Sequence, residues 1–284
     1  MDSGSTDDSY MLINDWISTN ECSAITFHNL QKETNMPSSS TNVGIIHARG
    51  DIIAFMDCGL QFNEDWLATQ YEYMESHGLD VVSGVCYLEG EGAVDRAAVA
   101  QTYGYKRMRP CIPSSLMRRS VFERIGLFYE NIRAFYDVDL INRLLMNGIV
   151  RGVNPDVVVR YHGTNYADTL TRLFRKVIVY SEPGVRIQGY SHPKVYIAIG
   201  LLFLSLLILQ PQMALYFFVA YLLIRGFIIP AFKSRNFGLV QDSPLSSFLL
   251  PVVGITIDAG KVTGYLKGYI KFLGASCEAR RKLT

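Results

Sequence analysis

The chain of 284 residues carries 27 basic against 26 acidic side chains, a formal charge of +1, and this balance excludes a nucleic-acid binder, which needs a basic excess or stripe. Hydrophobic residues make up 49% and charged residues 19%, enough apolar material for a sizeable core, and the apolar residues crowd into the C-terminal third. Cys22, Cys58, Cys86, Cys111 and Cys277 are odd in number and widely spaced without a CxxC pair, which reads as reduced thiols and not as a disulfide frame or zinc site. The opening MDSGSTDDSY lacks the basic and apolar regions of a secretory signal.

Residues 1 to about 180 alternate short β-type runs with helical patterns, which predicts an α/β domain on a largely parallel sheet. A first helix is expected after Ser5 to Ser9, capped by Thr6, Asp7 or Asp8, with Met11, Leu12, Trp16 and Ile17 near helical spacing. Ala24 to His28 reads as a strand. Ser38 to Thr41 can cap a helix carrying Val43, Ile46 and His47 that stops at Gly50. The continuous apolar run Ile52 to Met56, ending in Asp57, predicts a central strand covered on both faces. A helix over Glu64 to His77 leads to a strand over Val81 to Tyr87. The stretch Leu88 to Pro110, charged and glycine-rich without periodicity, is expected to be a mobile loop.

Beyond residue 190 the pattern changes. Val195 to Leu209 and Met213 to Ile229 are apolar apart from Arg225 and are separated by Gln210-Pro211-Gln212, which predicts a membrane hairpin over 195–230. Each arm is slightly short against the ~20 residues of a spanning helix, so spanning and re-entrant forms both stay open, as does a buried helical pair. Lys194, Lys233 and Arg235 flank the pair on one side, placing both ends in the cytosol. Leu245 to Ile257 is a third apolar segment. The tail behind it, with Lys261, Lys267 and Lys271 interleaved among Val262, Leu266 and Ile270, reads as an amphipathic helix at the membrane interface over 245–275, or as a helix packed on the preceding domain.

Several motifs within residues 2 to about 180 resemble glycosyltransferase family 2. DSGSTDDS, Asp2 to Ser9, looks like the end of that family's second strand, whose first carboxylate contacts the nucleotide, so the resemblance implies that role for Asp2; the same residues also make a good turn and helix cap. NVGIIHARGDIIAFMDCG, Asn42 to Gly59, resembles the family's Asn-Gly helix and its apolar strand ending in an aspartate motif. Here Asp-x-Asp is replaced by Asp57-Cys58-Gly59, and the resemblance implies that Asp57 meets a metal-bound diphosphate at a strand end. IPSSLMRRSVFERIGLFYENI, Ile112 to Ile132, looks like the acceptor-side strand and Arg-Arg helix, with Arg118 and Arg119 facing phosphates or solvent. FYDVDLINRLLMNG, Phe135 to Gly148, resembles the Glu-Asp-x-Asp-Leu helix start.

On this register Asp137 matches the general base, with Tyr136 in place of the usual glutamate and Asp139 two residues on; the alternative for Asp137 is an acid favoured by a helix N-terminus. His162, in VVVRYHG, matches a strand-end histidine that binds metal or diphosphate in some relatives, or is a core or surface histidine. TRLFRKVIVYS, from Thr171, lacks the Gln-x-x-Arg-Trp of processive synthases.

The resemblance therefore implies a GT-A-like catalytic domain over 1–185. It would lack the family's first βαβ unit, so that Met1 would be an internal or truncated start. The expected activity is non-processive, inverting transfer from a nucleotide-sugar donor to a lipid-linked or glycan acceptor at a membrane. A divalent metal, Mg or Mn, would assist, the catalytic domain would be cytoplasmic, and the product would enter polysaccharide or glycolipid assembly. A polyprenyl-phosphate sugar synthase is the alternative within the class. A catalytically degenerate membrane scaffold is the alternative outside it, motivated by Thr41, Gly59 and Tyr136 where the family has charged residues.

Overall fold

The computed structural model describes residues 1–20, 24–31, 36–130, 132–161, 167–187, 192–235 and 238–274. In chain order its elements are α1 (Ser9–Thr19), α2 (Pro37–His47), β1 (Ile52–Ala54), β2 (Leu60–Gln61), α3 (Trp66–Ser76), β3 (Val81–Tyr87), α4 (Ala93–Thr102), β4 (Arg109–Arg118) and α5 (Arg119–Ile125). There follow α6 (Tyr136–Met146), β5 (Arg151–Tyr161), α7 (Leu170–Ser181) with a 3-10 turn over Glu182–Arg186, α8 (His192–Leu209), and α9 (Pro211–Leu223). A π turn over Ile224–Ile228 runs from α9 into α10 (Ile229–Ser234), and α11 (Gly238–Asp242) and α12 (Pro244–Gly274) complete the order.

The five strands form one mixed sheet in the order β1-β4-β3-β5-β2. β1 and β4 are antiparallel, since the Phe55 amide donates to the Ser115 carbonyl at 2.9 Å and the Arg119 amide to the Asp51 carbonyl at 2.8 Å. β3 and β5 are parallel, from Val81 opposite Arg151 to Tyr87 opposite Arg160. Their ladder is interrupted beyond Ser83, where Val85 resumes pairing only at Val158. Two residues account for the break: Pro155 has no N–H for the ladder, and a Cβ on Gly84 would stand 2.7 Å from the Val157 carbonyl oxygen.

The chain divides into two compact units. The first, residues 1–53 and 117–150, has a core of Ile45, Met117, Val121, Phe122, Phe128, Ile132, Leu140 and Leu144. α2 begins at Pro37, whose fixed φ suits the first helical position, so Ser38, Ser39 and Ser40 are buried helical residues and not caps. Ile45, not Ile46, is its buried apolar residue. Among the described residues no strand forms over Ala24–His28: Ile25 takes part in a single bridge, and a separate bridge joins Asp2 to Gln31. Period alone could not supply the partner a strand needs. α1 forms with Asp8 at its N-cap and buries none of its residues; Trp16 meets Phe27 edge-on at 5.3 Å.

The second unit comprises residues 54–116 and 151–284. β3 has the predicted bounds, but β1 is three residues at one end of the described sheet, not a central strand, with Met56 exposed. The expected loop at Leu88–Pro110 instead contains α4, among the best-buried helices, with Asp95, Ala97, Ala98, Val99, Ala100 and Gln101 all covered. Its alanines carry no periodic apolar stripe, and the surface that covers them lies far along the chain, in α12.

α12 is a single helix through Pro251. Its Gly260, Gly264 and Gly268 let it lie against α7 and the following 3-10 turn, where a Cβ would collide with Val177, the Ile178 carbonyl or the Glu182 carbonyl. Glu182 is gripped from α12 by Lys267 at 3.0 Å and by Lys271. α9, the π turn and α10 run as one apolar helix of 24 residues over Pro211–Ser234.

Candidate active site

In the first unit the loop Asp2–Ser5 folds around the carboxylate of Asp2. It accepts from the amide and hydroxyl of Ser5, the hydroxyl at 2.5 Å, and from Gln31 Nε2 at 2.8 Å. These donors favour the ionised form and hold the carboxyl down at about 2. The loop is fastened to α2 by the Ser3 and Ser40 hydroxyls, 2.7 Å apart.

α2 in turn fixes the turn before α6. Asn42, buried, donates to the Phe128 carbonyl and accepts from the Phe128 amide, both at 2.9 Å, and donates to Glu130 at 3.1 Å. Arg119 is spent on this frame: its guanidinium donates to the carbonyls of Ala48 and Gly50, satisfying the C-terminal end of α2. Of the two readings open for Arg119, phosphates or solvent, neither anticipates these backbone partners.

Phe135 enters α6 with φ +70°, a left-handed backbone that a bulky side chain adopts only when its surroundings enforce it. Asp137 follows at the helix start. The neighbouring Asp139 is engaged by Arg143, 2.7 Å away, and Arg143 also donates to the carbonyls of Ile125 and Gly126. Asp137 makes no ion pair among the described residues. The nearby Val138 and Asp137 amides favour its charged form, yet partial dehydration outweighs them and pushes its pKa upward.

In the second unit Asp57 stands exposed just past β1, with Gly59 turning the chain at φ +80°. Although its side chain reaches solvent, the protein around it partly dehydrates the carboxylate and raises its pKa as well. Among the described residues no group of three or more His, Cys, Asp and Glu side chains could hold a metal. Asp57 is one exposed carboxylate, and magnesium is commonly held by one or two carboxylates together with substrate phosphates. His162 lies outside the described residues. Asp2 and Asp137 thus belong to one unit, linked through α2, and Asp57 to the other.

The positioning roles of Asn42 and Arg119 escaped the sequence reading. The spacing of Asp139 and Arg143, one helical turn apart, was a legible sign that Asp139 is engaged.

Residues 1–126 match the family model described as Glycosyl transferase family 2. Among solved structures the chain is similar to the mannosyltransferase PcManGT from Pyrobaculum calidifontis, solved in complex with GDP-Man and Mn2+: 18% identity over 95% of this chain and 76% of that one, with a TM-score of 0.50. TarS 1-349 from S. aureus is more distant, at 14% identity over 97% of this chain and 82% of that one and a TM-score of 0.41. No curated protein matches the sequence significantly. Residues 1–126 therefore carry the glycosyltransferase family 2 pattern. The chain's fold is GT-A-like, an α/β arrangement with a mixed sheet flanked by helices and followed by apolar C-terminal helices.

Proposed function

We propose that the chain transfers a single sugar, with inversion, from a nucleotide-sugar donor to a lipid-linked acceptor at the cytosolic face of a membrane, in polysaccharide or glycolipid assembly. The observation that carries the proposal is Asp137: at the start of α6 it is the acid left without a cationic partner while Asp139 is held by Arg143. A carboxylate with a raised pKa and open lone pairs is suited to take the proton of an acceptor hydroxyl as that oxygen attacks the anomeric carbon. Asp2, already ionised and oriented by its loop, would be the contact to the nucleotide. Asp57 would hold the divalent metal, whose charge offsets that of the departing diphosphate, with His162 as a second candidate ligand.

Membrane attachment is supported by the exposed apolar surface of the C-terminal helices, which includes Ile208, Leu209, Tyr216, Phe232 and Phe248. The helix Pro211–Ser234, at 24 residues, is about 36 Å long and covers a hydrocarbon core of about 30 Å. The relative solved with GDP-Man and Mn2+ supports a nucleotide-sugar donor and a metal.

The test is donor consumption by the purified chain with lipid-linked sugar acceptors, comparing Asp137→Asn with the parent. Loss of turnover with retained donor binding supports the reading. Turnover that survives the change points to a phosphate acceptor, which needs no base, and so to a polyprenyl-phosphate sugar synthase. Absence of any nucleotide-sugar binding overturns the enzyme reading in favour of a scaffold.

A further inference from the structure

We propose that a cavity at the carboxyl ends of β3 and β5 is a carbohydrate subsite that holds the acceptor glycan behind its reacting sugar. It lies wholly in the second unit, and the proposal rests on the transferase reading above.

The cavity measures about 630 Å3, within the ~300–1,000 Å3 range of small-molecule sites. Its position follows from topology, because Tyr87 and Arg160 are register partners near the carboxyl ends of two parallel strands, the end at which open α/β sheets bind ligands. Both line the cavity, and the Arg160 guanidinium lies 5.9 Å from the centroid of the Tyr87 ring. A half-buried aromatic ring offers a surface for the weakly positive C–H face of a pyranose.

The interruption of the β3–β5 ladder serves this site. Asp156 belongs to the segment of β5 that leaves the ladder at Pro155, and it lines the cavity; bulges beside binding sites commonly re-aim a side chain in this way. Gln61 and Asn63 supply amides from β2 and the residue region after it. Gln61 lies only four residues beyond Asp57, so at most ~14 Å of chain separates the cavity from the proposed diphosphate ligand.

Charge selects the ligand class. Arg160 and Lys106 line the cavity together with Glu89 and Asp156, so positive and negative groups balance. A phosphate would meet two carboxylates there, whereas the many hydroxyls of a neutral sugar can both donate to the carboxylates and accept from the cations and amides. Lys106 is held at the rim with φ +50° and by its ion pair to Asp242 of α11 at 2.8 Å, while the adjacent Tyr105 amide donates to Ser234 at the end of α10. The rim is thus tied to the segment that follows the apolar helix.

The test uses the full chain in lipid nanodiscs, since detergents with sugar headgroups would compete, and records saturation-transfer NMR with maltose, lactose, mannobiose and diacetylchitobiose, and separately with inorganic pyrophosphate. At least one disaccharide is expected to bind, with Tyr87→Ala weakening it about tenfold and Asp156→Ala weakening it severalfold. The exposed Asp156 change guards against misfolding at Tyr87. Binding of no disaccharide, binding unaffected by both substitutions, or binding of pyrophosphate alone overturns the subsite. GDP-mannose and UDP-GlcNAc are titrated into the same samples: donor binding without disaccharide binding refutes the subsite and leaves the transferase reading standing. Binding of neither donor refutes the transferase reading itself.

Discussion

The guanidinium of Arg225, on an otherwise apolar helix, lies 2.7 Å from the carboxylate of Asp258 on α12, and both side chains are nearly closed to solvent. Arg225 also reaches the Gln101 side chain of α4 at 2.8 Å and the Gly254 carbonyl at 3.1 Å, while Tyr221 donates to Asp258 at 2.7 Å. Such a network is costly to break from one side, because the remaining charge is left buried. Arg225→Leu is expected to destabilise the fold by about 3–5 kcal/mol, and Arg225→Leu with Asp258→Leu by distinctly less. Thermal unfolding in nanodiscs checks this; equal loss in single and double variants would show that the two charges do not depend on each other.

Asp137→Asn is expected to leave donor affinity unchanged and to lower turnover by about two orders of magnitude or more. Asp139→Asn is the control. It removes a partly exposed ion pair with Arg143 and is expected to cost about 1 kcal/mol of stability or less, with turnover largely kept. Steady-state kinetics with donor titrations separate the two, and a larger kinetic loss in the Asp139 variant would move the base to that residue.

The pH dependence of rate and stability should differ in sign between carboxylates. Asp137 is raised by dehydration above its ordinary value of 3.8, so the acid limb of kcat/KM is expected above that pH and should vanish in Asp137→Asn. In stability, Asp137 and Asp57 favour the fold when protonated, a contribution present below 3.8 and lost as pH rises through their raised values. Asp2 does the reverse: held at about 2, it contributes above 3.8 and loses that contribution as pH falls toward 2. Melting curves of the parent and Asp2→Asn should therefore converge through that acid window. A constant gap would contradict the hydrogen-bonded loop.

Attachment to a membrane is checked with cysteines placed at the exposed Gln212 and Gln241 in a background without other cysteines. A helix that spans puts these two positions on opposite faces, so an impermeant thiol reagent should label one from each side. Labelling of both from the cytosolic side would show a re-entrant or peripheral pair, and release by carbonate would remove the membrane reading.

Much of the fold was legible where the determinants are local. Val81–Tyr87 is a strand as its composition requires, whereas the strand expected to run to Met56 stops at Ala54 and leaves Asp57 three residues beyond it. What escaped has distant partners. α4 was read as a loop because its alanines are covered by a helix about 150 residues further on, as the bond from Gln101 to the Leu250 carbonyl shows. Arg119 gave no sign of serving Ala48, 71 positions earlier, nor Asn42 of serving Phe128, 86 positions later. At the candidate site Asp2 and Asp137 are named by motif and the Asp139–Arg143 pair is legible from its spacing, whereas the left-handed Phe135 beside Asp137 comes from packing.

The contact between Gln101 and Arg225 has a bearing on how the protein is made. Asp258 is synthesised 33 residues after Arg225, and at about 5–20 residues per second the arginine waits on the order of seconds for its counter-ion. An unaccompanied arginine inside lipid costs about 2.5–3.5 kcal/mol even on the mildest scale. Gln101 has left the ribosome long before, so the amide oxygen that meets the guanidinium in the folded chain precedes Asp258 in synthesis. α4 would then act as a built-in chaperone for the proposed span, holding Arg225 in place until the last helix closes over it.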